Sequence, residues 1–468
     1  MPVNSTHPAY DASLTAWRRN RDAVSGQDAI KRGGDRYLPR PNAADTSAEN
    51  VARYDRYLQR ALWYAAPERT KQSLIGSVFS KGPEIKEIPS QIDYLDEDCD
   101  GAGLSLDQMA KQIIGEQLEV ARVGVLVDYP SSADGASLED VQRLNLRATF
   151  AAYSAETIIN WDDMKVGGKR MLSLVVLAET ENVPLDRFTY EAKKRFRVLT
   201  LEDGLYVQRL YDESLNQIGD DIEPRMSNKA RWTRIPFVII GAETNTPEID
   251  QAPLTQLCNH AIAYWQTSAD HRENLYMHGQ LTLGISSDLS VEDWQLANPS
   301  GVTVGAPTGV FLGANGSFHT ASAPESSSLS TALQDLREEM AELGAQIVTK
   351  GSNAQTAEAA RIDASAESSV LSSVVGNASE GLEACLEWAA MFMGGDPVKV
   401  MYTLNNEFYS VTLTAQDRLA LQGELDRGLI ATSDYRRMLR KADIIDQTRT
   451  DENIDGEVEA AGPALGAL

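Results

Sequence analysis

The segment Asp96-x-Asp98-x-Asp100-Gly101, with Asp107 at the twelfth position, sets carboxylates at alternate places before a glycine. A calcium loop wraps its ion in this way. Three departures favour a solvated acidic turn. Position twelve is Asp, which reaches less far than a bidentate Glu, and Leu104 holds the ninth position. Ser105-Leu-Asp-Gln108 is a capping box that opens a helix, and Pro89–Leu95 is no clear entering helix. His271 and His278 lie seven apart, with His260 eleven before the first. A helical zinc site wants histidines at i and i+4 beside an acid, so these are read as surface or interface residues. Gly167-Gly168-Lys169 is followed by Arg170 and is no phosphate loop, and Gly101-x-Gly103 lacks a third glycine and a preceding strand. A nucleophile elbow is also missing. Cys99, Cys258 and Cys385 are odd in number and far apart, fitting neither a disulfide framework nor a zinc site. No metal, cofactor or catalytic group is expected, and the chain is read as not an enzyme.

The charge balance narrows the choice further. Forty-three Lys and Arg against 68 Asp and Glu give −25 over 468 residues, with 42% hydrophobic composition. Such a chain does not coat DNA indiscriminately, because phosphate binding needs clustered cations. The longest apolar runs, Ile235–Ile240 and Val123–Val127, fall short of the roughly 20 residues a bilayer needs. The first thirty residues show no apolar run of a secretory signal.

The elements follow from hydrophobic period. Residues 1–50 read as an arm: Arg18, Arg19, Arg21, Lys31, Arg32, Arg36 and Arg40 lie among scattered acids, and Gly33-Gly34, Pro39 and Pro41 interrupt any helix. A surface helix with a loop, or an arm for a partner or nucleic acid, fits this text. Tyr54, Tyr57, Leu58, Ala61 and Leu62 fall on one helix face, and Pro67 suits the first turn of a second helix. Residues 150–240 change to short branched and aromatic runs between turn residues, a strand signature. Helices then strands without alternation make an α+β domain.

From Pro253 a helix of about 25 residues, near 38 Å, stops at His278-Gly279. Residues 279–327 are poor in charge with short β-like runs. Leu329, Leu333, Leu336, Met340, Leu343 and Ile347 then form a heptad stripe flanked by Glu338 and Glu342. A short polar break precedes a small-residue helix over Thr356–Met393, with a candidate kink at Gly376-Asn377. Met401–Leu404 and Phe408–Leu413 predict a hairpin around Asn405-Asn406. Two short helices follow, the second capped at Ser433, and the acidic end reads as disordered.

This order of parts resembles the portal protein of tailed bacteriophages, the head-to-tail connector, over about residues 50–440. The local text agrees. Ala66-Pro-Glu-Arg-Thr70, Leu74-Ile-Gly76-x-Val78-Phe79, Asp100-Gly-Ala-Gly-Leu-Ser105-Leu106 and Arg122-Val-Gly-Val-Leu-Val-Asp128-Tyr129-Pro130 look like the N-terminal half of one portal subgroup. Ile235-Pro236-Phe237-Val238, Pro253-Leu254 and Ser268-Ala-Asp270 do so too. Glu339-Met-Ala-x-Leu343-Gly344-Ala345 and Thr356-Ala-Glu358-Ala are similar to the text on either side of that family's channel loop.

The resemblance implies a portal-protein fold within the α+β class. An arm (1–50) would precede a mixed α/β wing (51–252). A two-helix stem (253–278 and 328–349) would enclose a small β-containing clip (279–327). Lys350, Gly351, Ser352, Asn353, Ala354 and Gln355 would be the DNA-channel loop. A long wing helix with hairpin (356–412), a helical crown (413–445) and a disordered acidic tail (446–468) would complete the chain. It further implies a ring of about twelve copies at one vertex of the head, assembled in the host cytoplasm and carried in the virion. Double-stranded DNA would pass through it in packaging and ejection. Its partners would be the terminase large subunit, a head-tail adaptor, and major capsid and scaffolding proteins, with no membrane. Another phage structural protein, such as an adaptor or minor capsid protein, and an enzyme with an unrecognised site are the alternatives.

Overall fold

The computed structural model describes residues 2–129, 146–279, 282–299, 310–321, 327–347, 369–406, 408, 415–441, 444–446 and 449–461. It is a mixed α+β protein, and no helix among the described residues is long and apolar enough to cross a membrane.

The N-terminal residues are not a detached arm. Helix α1 (Pro8–Ser25) is capped by His7, whose Nδ1 accepts from Ala9 N–H at 3.1 Å, and Pro8 suits the first turn. It buries Tyr10, Trp17, Asn20, Ala23 and Val24. Helix α2 (Gln27–Gly33) adds Ala29 and Ile30 to the same core. The arginine-rich text hid this stripe because its charges have specific partners. Arg21 meets Glu116, Glu119 and Glu156 together, and Glu119 also takes Lys71. Burial alone would raise the Glu156 carboxyl, but hydrogen bonds from Arg21 and its charge outweigh that, and the net shift is downward.

Helices α3 (Ala48–Arg60) and α4 (Ala66–Val78) follow, then strand β1 (Ile85–Glu87). Helix α5 (Leu106–Val120) opens with the predicted capping box: Ser105 Oγ accepts from Gln108 N–H at 3.2 Å and Gln108 Oε1 from Ser105 N–H at 3.0 Å. Ala121, in the left-handed region, turns the chain directly into β2 (Arg122–Asp128). β2 is the middle of an antiparallel three-stranded sheet, between β3 (Thr149–Ser154) and a later strand that pairs Ile240 with Val123. Being covered on both faces, it has no polar alternation. A Cβ at Gly124 would overlap the Phe237 ring, so only glycine fits there.

A five-stranded antiparallel meander comes next: β4 (Ile158–Val166), β5 (Lys169–Pro184), β6 (Tyr190–Glu202), β7 (Leu205–Asp212) and β8 (Gln217–Ile222). β9 (Phe237–Gly241) then completes the three-stranded sheet. The short runs visible in sequence are the buried centres of these strands. β5 and β6 continue past them as an exposed ribbon ending in Leu185 and Phe188, 65% and 84% exposed.

Helix α6 (Thr255–Gly279) leaves this body. Beyond it lie β10 (Thr282–Ser286), helix α7 (Val291–Ala297) and β11 (Ser317–Ala321), and the chain returns through α8 (Ser327–Gln346). Helix α9 (Val370–Met393) runs unbroken through Gly376-Asn377, capped by Ser369 and ended by Gly394 at φ 79°. Its small residues let it lie on β9, where Gly381 faces Ile240 without room for a Cβ. Gln117 is buried between α5, β9 and α9 and donates Nε2 to Gly241 O at 2.7 Å and Val374 O at 3.0 Å.

Among the described residues, the first strand of the expected hairpin around Asn405-Asn406 pairs with a segment far earlier in the chain. β12 (Met401–Thr403) runs antiparallel to β1, with Tyr402 opposite Lys86. α9 dictates this. Glu383 accepts from Tyr402 N–H at 2.9 Å and Ser379 Oγ from Leu404 N–H at 3.0 Å. Asn406 Oδ1 accepts from Ser372 Oγ at 2.8 Å. Of the expected second strand, Phe408–Leu413, all but Phe408 lie outside the described residues. Helices α10 (Ala415–Asp426), α11 (Thr432–Lys441) and α12 (Asp451–Ala461) close the chain. The acidic end is therefore helical over 451–461 rather than disordered, its carboxylates meeting arginines of the preceding segment.

Candidate functional site

The α6–α8 pair is antiparallel. His260 Nε2 lies 3.6 Å from Glu339, and Arg337 donates to Tyr264 Oη at 2.6 Å. Arg337 also lies over both the Tyr64 and Tyr264 rings, 5.5 and 5.3 Å from their centres. The base of the pair is locked into the body. Leu257, Cys258, Ala261, Tyr264, Trp265 and Ser268 are buried, and Ser268 Oγ accepts from Leu62 N–H at 3.1 Å. Tyr57 Oη donates to Asp270 at 2.5 Å, and Arg60 pairs with Glu273 while covering Tyr276 at 4.0 Å.

Burial stops beyond that point. Leu275, Tyr276 and Met277 are 41–45% exposed. Met340 of α8 and Ile347 just after it are buried near the base, whereas Leu329, Leu333 and Leu336 toward the far end are only half-covered. The heptad stripe thus meets α6 closely at one end and opens at the other. At the tip, β10 and β11 pair with Ile285 opposite Phe318. Around them Val291, Leu296 and Phe311 are 74%, 84% and 60% exposed. An isolated chain would gain by covering these side chains, since apolar area returns roughly 25 cal/mol per Å² when removed from water.

The residues expected to form a channel loop, Lys350, Gly351, Ser352, Asn353, Ala354 and Gln355, lie outside the described residues, as does the expected helix over 356–368. Their frame is described. Ile347 C=O accepts from Leu371 N–H at 3.2 Å, so the described residues on the two sides of 348–368 lie together. Beside it Gly344 packs on Thr70 of α4, and Ser369 caps α9.

The other candidate groups are held apart from one another. Asp98 accepts from Gly103 N–H at 2.8 Å and pairs with Arg147. Asp100 accepts from Ala102 and Leu104 N–H at 2.8 and 3.0 Å, and Asp96 pairs with Lys86. The acidic turn folds upon itself, its oxygens turned to backbone and cations. The α6 histidines do not converge, and among the described residues no group of three His, Cys, Asp or Glu is placed to hold a metal ion. Burial pushes the thiols of Cys99 and Cys258 up to about 12, which leaves them poor nucleophiles. Sequence reasoning missed Arg337, Arg60 and Gln117. Each acts by meeting a segment remote in the chain, and nothing in its local text marks it.

A family model described as a domain of unknown function, DUF4055, matches residues 253–393. That stretch begins just before α6 and ends with the last residue of α9. No curated protein matches the chain. Among solved structures, a chain in the neck of an empty GTA particle computed with C6 symmetry is similar at TM-score 0.41 and 13% identity. That likeness covers 80% of this chain and 90% of that one. A chain in the virion of a native gene transfer agent (GTA) particle is similar at TM-score 0.41 and 12% identity, covering 80% and 89%. One in the neck of a native GTA particle computed with C12 symmetry is similar at 0.40 and 13%, with the same coverage.

Proposed function

We propose that this protein is a portal: a ring at one vertex of a phage head, through which double-stranded DNA enters and leaves. The observation that carries this reading is the out-and-back α6–α8 pair. It is anchored in an α+β body at its base, carries a small strand pair at its tip, and leaves apolar residues uncovered along its far half. Closed rotational rings need head-to-tail contacts between unlike faces, and such a pair supplies them. The tip is the docking end for the terminase large subunit and then for a head-tail adaptor. The body meets the major capsid and scaffolding proteins. The role is structural, not enzymatic.

The charge suits a conduit. A chain of −25 lets DNA slide, where a cationic wall would retain it. Lys350 is the one cation of the 349–355 segment and, repeated around a ring, would give a thin positive collar that steadies phosphates without reading sequence. Native mass spectrometry and class-averaged electron micrographs test the reading. A ring of about twelve copies with a central hole is expected, and only monomers or dimers, with or without scaffolding protein, would sink it. Within heads, Lys350→Glu should leave the ring intact and lower the DNA retained. Wild-type packaging and retention would remove the collar.

A further inference from the structure

The last two helices carry opposite charge. α11 holds Arg436, Arg437, Arg440 and Lys441 against one carboxylate, Asp434. α12 holds Asp451, Glu452, Asp455, Glu457 and Glu459 and no cation. They are braced together. Arg436 donates Nη2 to Asp455 Oδ1 at 2.5 Å, and its side chain is left only 14% exposed. Arg440 pairs with Asp451 and donates Nε to Arg449 C=O at 3.1 Å, while Arg449 pairs with Glu457. Arg437 alone of the α11 arginines stays open, at 66%, held by Asp434 within its own helix.

We propose that α12 is an acidic cover over a phosphate-binding face of α11, and that the ligand of that face is the backbone of double-stranded DNA. The choice of DNA rests on the conduit reading; the cover itself does not. Arg436 and Arg440 are an i,i+4 pair with Arg437 beside them, so the three arginines form one continuous side of the helix. In a chain of −25 this is a local reversal of sign. The carboxylates that mask it are held weakly. Asp455 on Arg436 and Asp451 on Arg440 are 58% and 36% exposed, and surface ion pairs contribute only about 0.2–1 kcal/mol each. Gly456 sits inside α12 and costs the helix about 1 kcal/mol relative to Ala. A polyanion of high charge density therefore displaces α12 by taking the same guanidinium groups. Diffusely presented carboxylates do not. The face engages only where DNA is concentrated against the protein, and otherwise stays neutralised.

The test uses the full chain with Asp451→Asn, Asp455→Asn and Glu457→Gln together, and a labelled 30-base-pair duplex followed by fluorescence anisotropy. A matched control neutralises three exposed carboxylates elsewhere, Asp203→Asn, Glu213→Gln and Asp220→Asn. Uncovered α11 should bind the duplex at least tenfold tighter than wild type at about 50 mM salt. With about three phosphate contacts, that affinity should fall roughly fortyfold by 200 mM. Adding Arg436→Gln and Arg440→Gln should return it to the wild-type value. Equal binding by wild type and the cover variant overturns the proposal. So does an equal gain in the control, which would make the effect one of bulk charge. A gain toward heparin without one toward the duplex overturns the choice of DNA. Melting of α12 in the variant uncovers α11 just as well, so it does not excuse a null result. Oligomer mass on the same samples reports the conduit reading separately, because duplex binding is scored in whatever assembly state the chain adopts.

Discussion

At the base of the α6–α8 pair, Leu257, Ala261 and Trp265 are covered by side chains of the same protomer; further along the same helix, Leu275, Tyr276 and Met277 remain in water. The local text differs little, and both halves mix apolar with polar residues. What differs is the neighbourhood. The base lies against α1, α3 and α4, with Trp63 edge-on to Trp265 at 6.4 Å and Asn20 Nδ2 donating to Thr255 at 3.0 Å. The far half has its antiparallel partner and little more, with Arg60 over Tyr276 the last contact from the body. The base is thus covered within one chain, and the far half is left largely exposed.

Substitutions can break or sharpen that contrast. Trp265→Ala removes a fully buried ring at the base and should cost about 3–5 kcal/mol in urea unfolding. A cost near zero would mean that the base is not the anchored end. Arg21→Met strips the shared partner of Glu116, Glu119 and Glu156 and should cost about 2–4 kcal/mol, less than a fully broken buried pair because Glu119 keeps Lys71. The same network gives a pH signature. The folded Glu156 pKa lies below the unfolded value of 4.5. Its contribution is therefore whole above that pH and disappears as pH falls through the lower folded value. Acid titration of Glu156→Gln should show a shallower loss of stability in that window than wild type, and an identical profile would remove the carboxylate from the account.

Gly124→Ala should cost about 1–3 kcal/mol, since the new methyl meets the Phe237 ring within the sheet beneath the base. A neutral result in thermal unfolding would show that this packing yields. The smallest effect on the protomer belongs to the far half. Leu275→Ser should change unfolding by under about 0.5 kcal/mol while shifting native mass from ring toward protomer. Unchanged assembly would mean that the exposed residues of α6 are not an interface.

Much of this was legible locally. The Ser105–Gln108 capping box, Pro67 in the first turn of α4 and the near-continuous apolar text of β2 each follow from contacts within a few residues. The candidate channel segment was legible only as a break, and its frame, Leu371 N–H on Ile347 C=O, joins residues that no short-range pattern connects. The first helix was misread because its arginines look solvated until Glu116, Glu119 and Glu156 are seen to converge on one of them.

By itself the sequence determined the class of the protein, α+β with a long helical excursion, because hydrophobic period and turn chemistry act over a few residues. It also determined the acidity, which is a sum over the chain and needs no coordinates. Only the tertiary structure decided partners. Met401–Thr403 could have paired with the residues that follow, yet Ser379 and Glu383 on α9 hold it against Ile85–Glu87. A buried strand takes whichever edge satisfies its backbone hydrogen bonds. That edge is chosen by the helix packed over it, at a distance along the chain that no local spacing encodes.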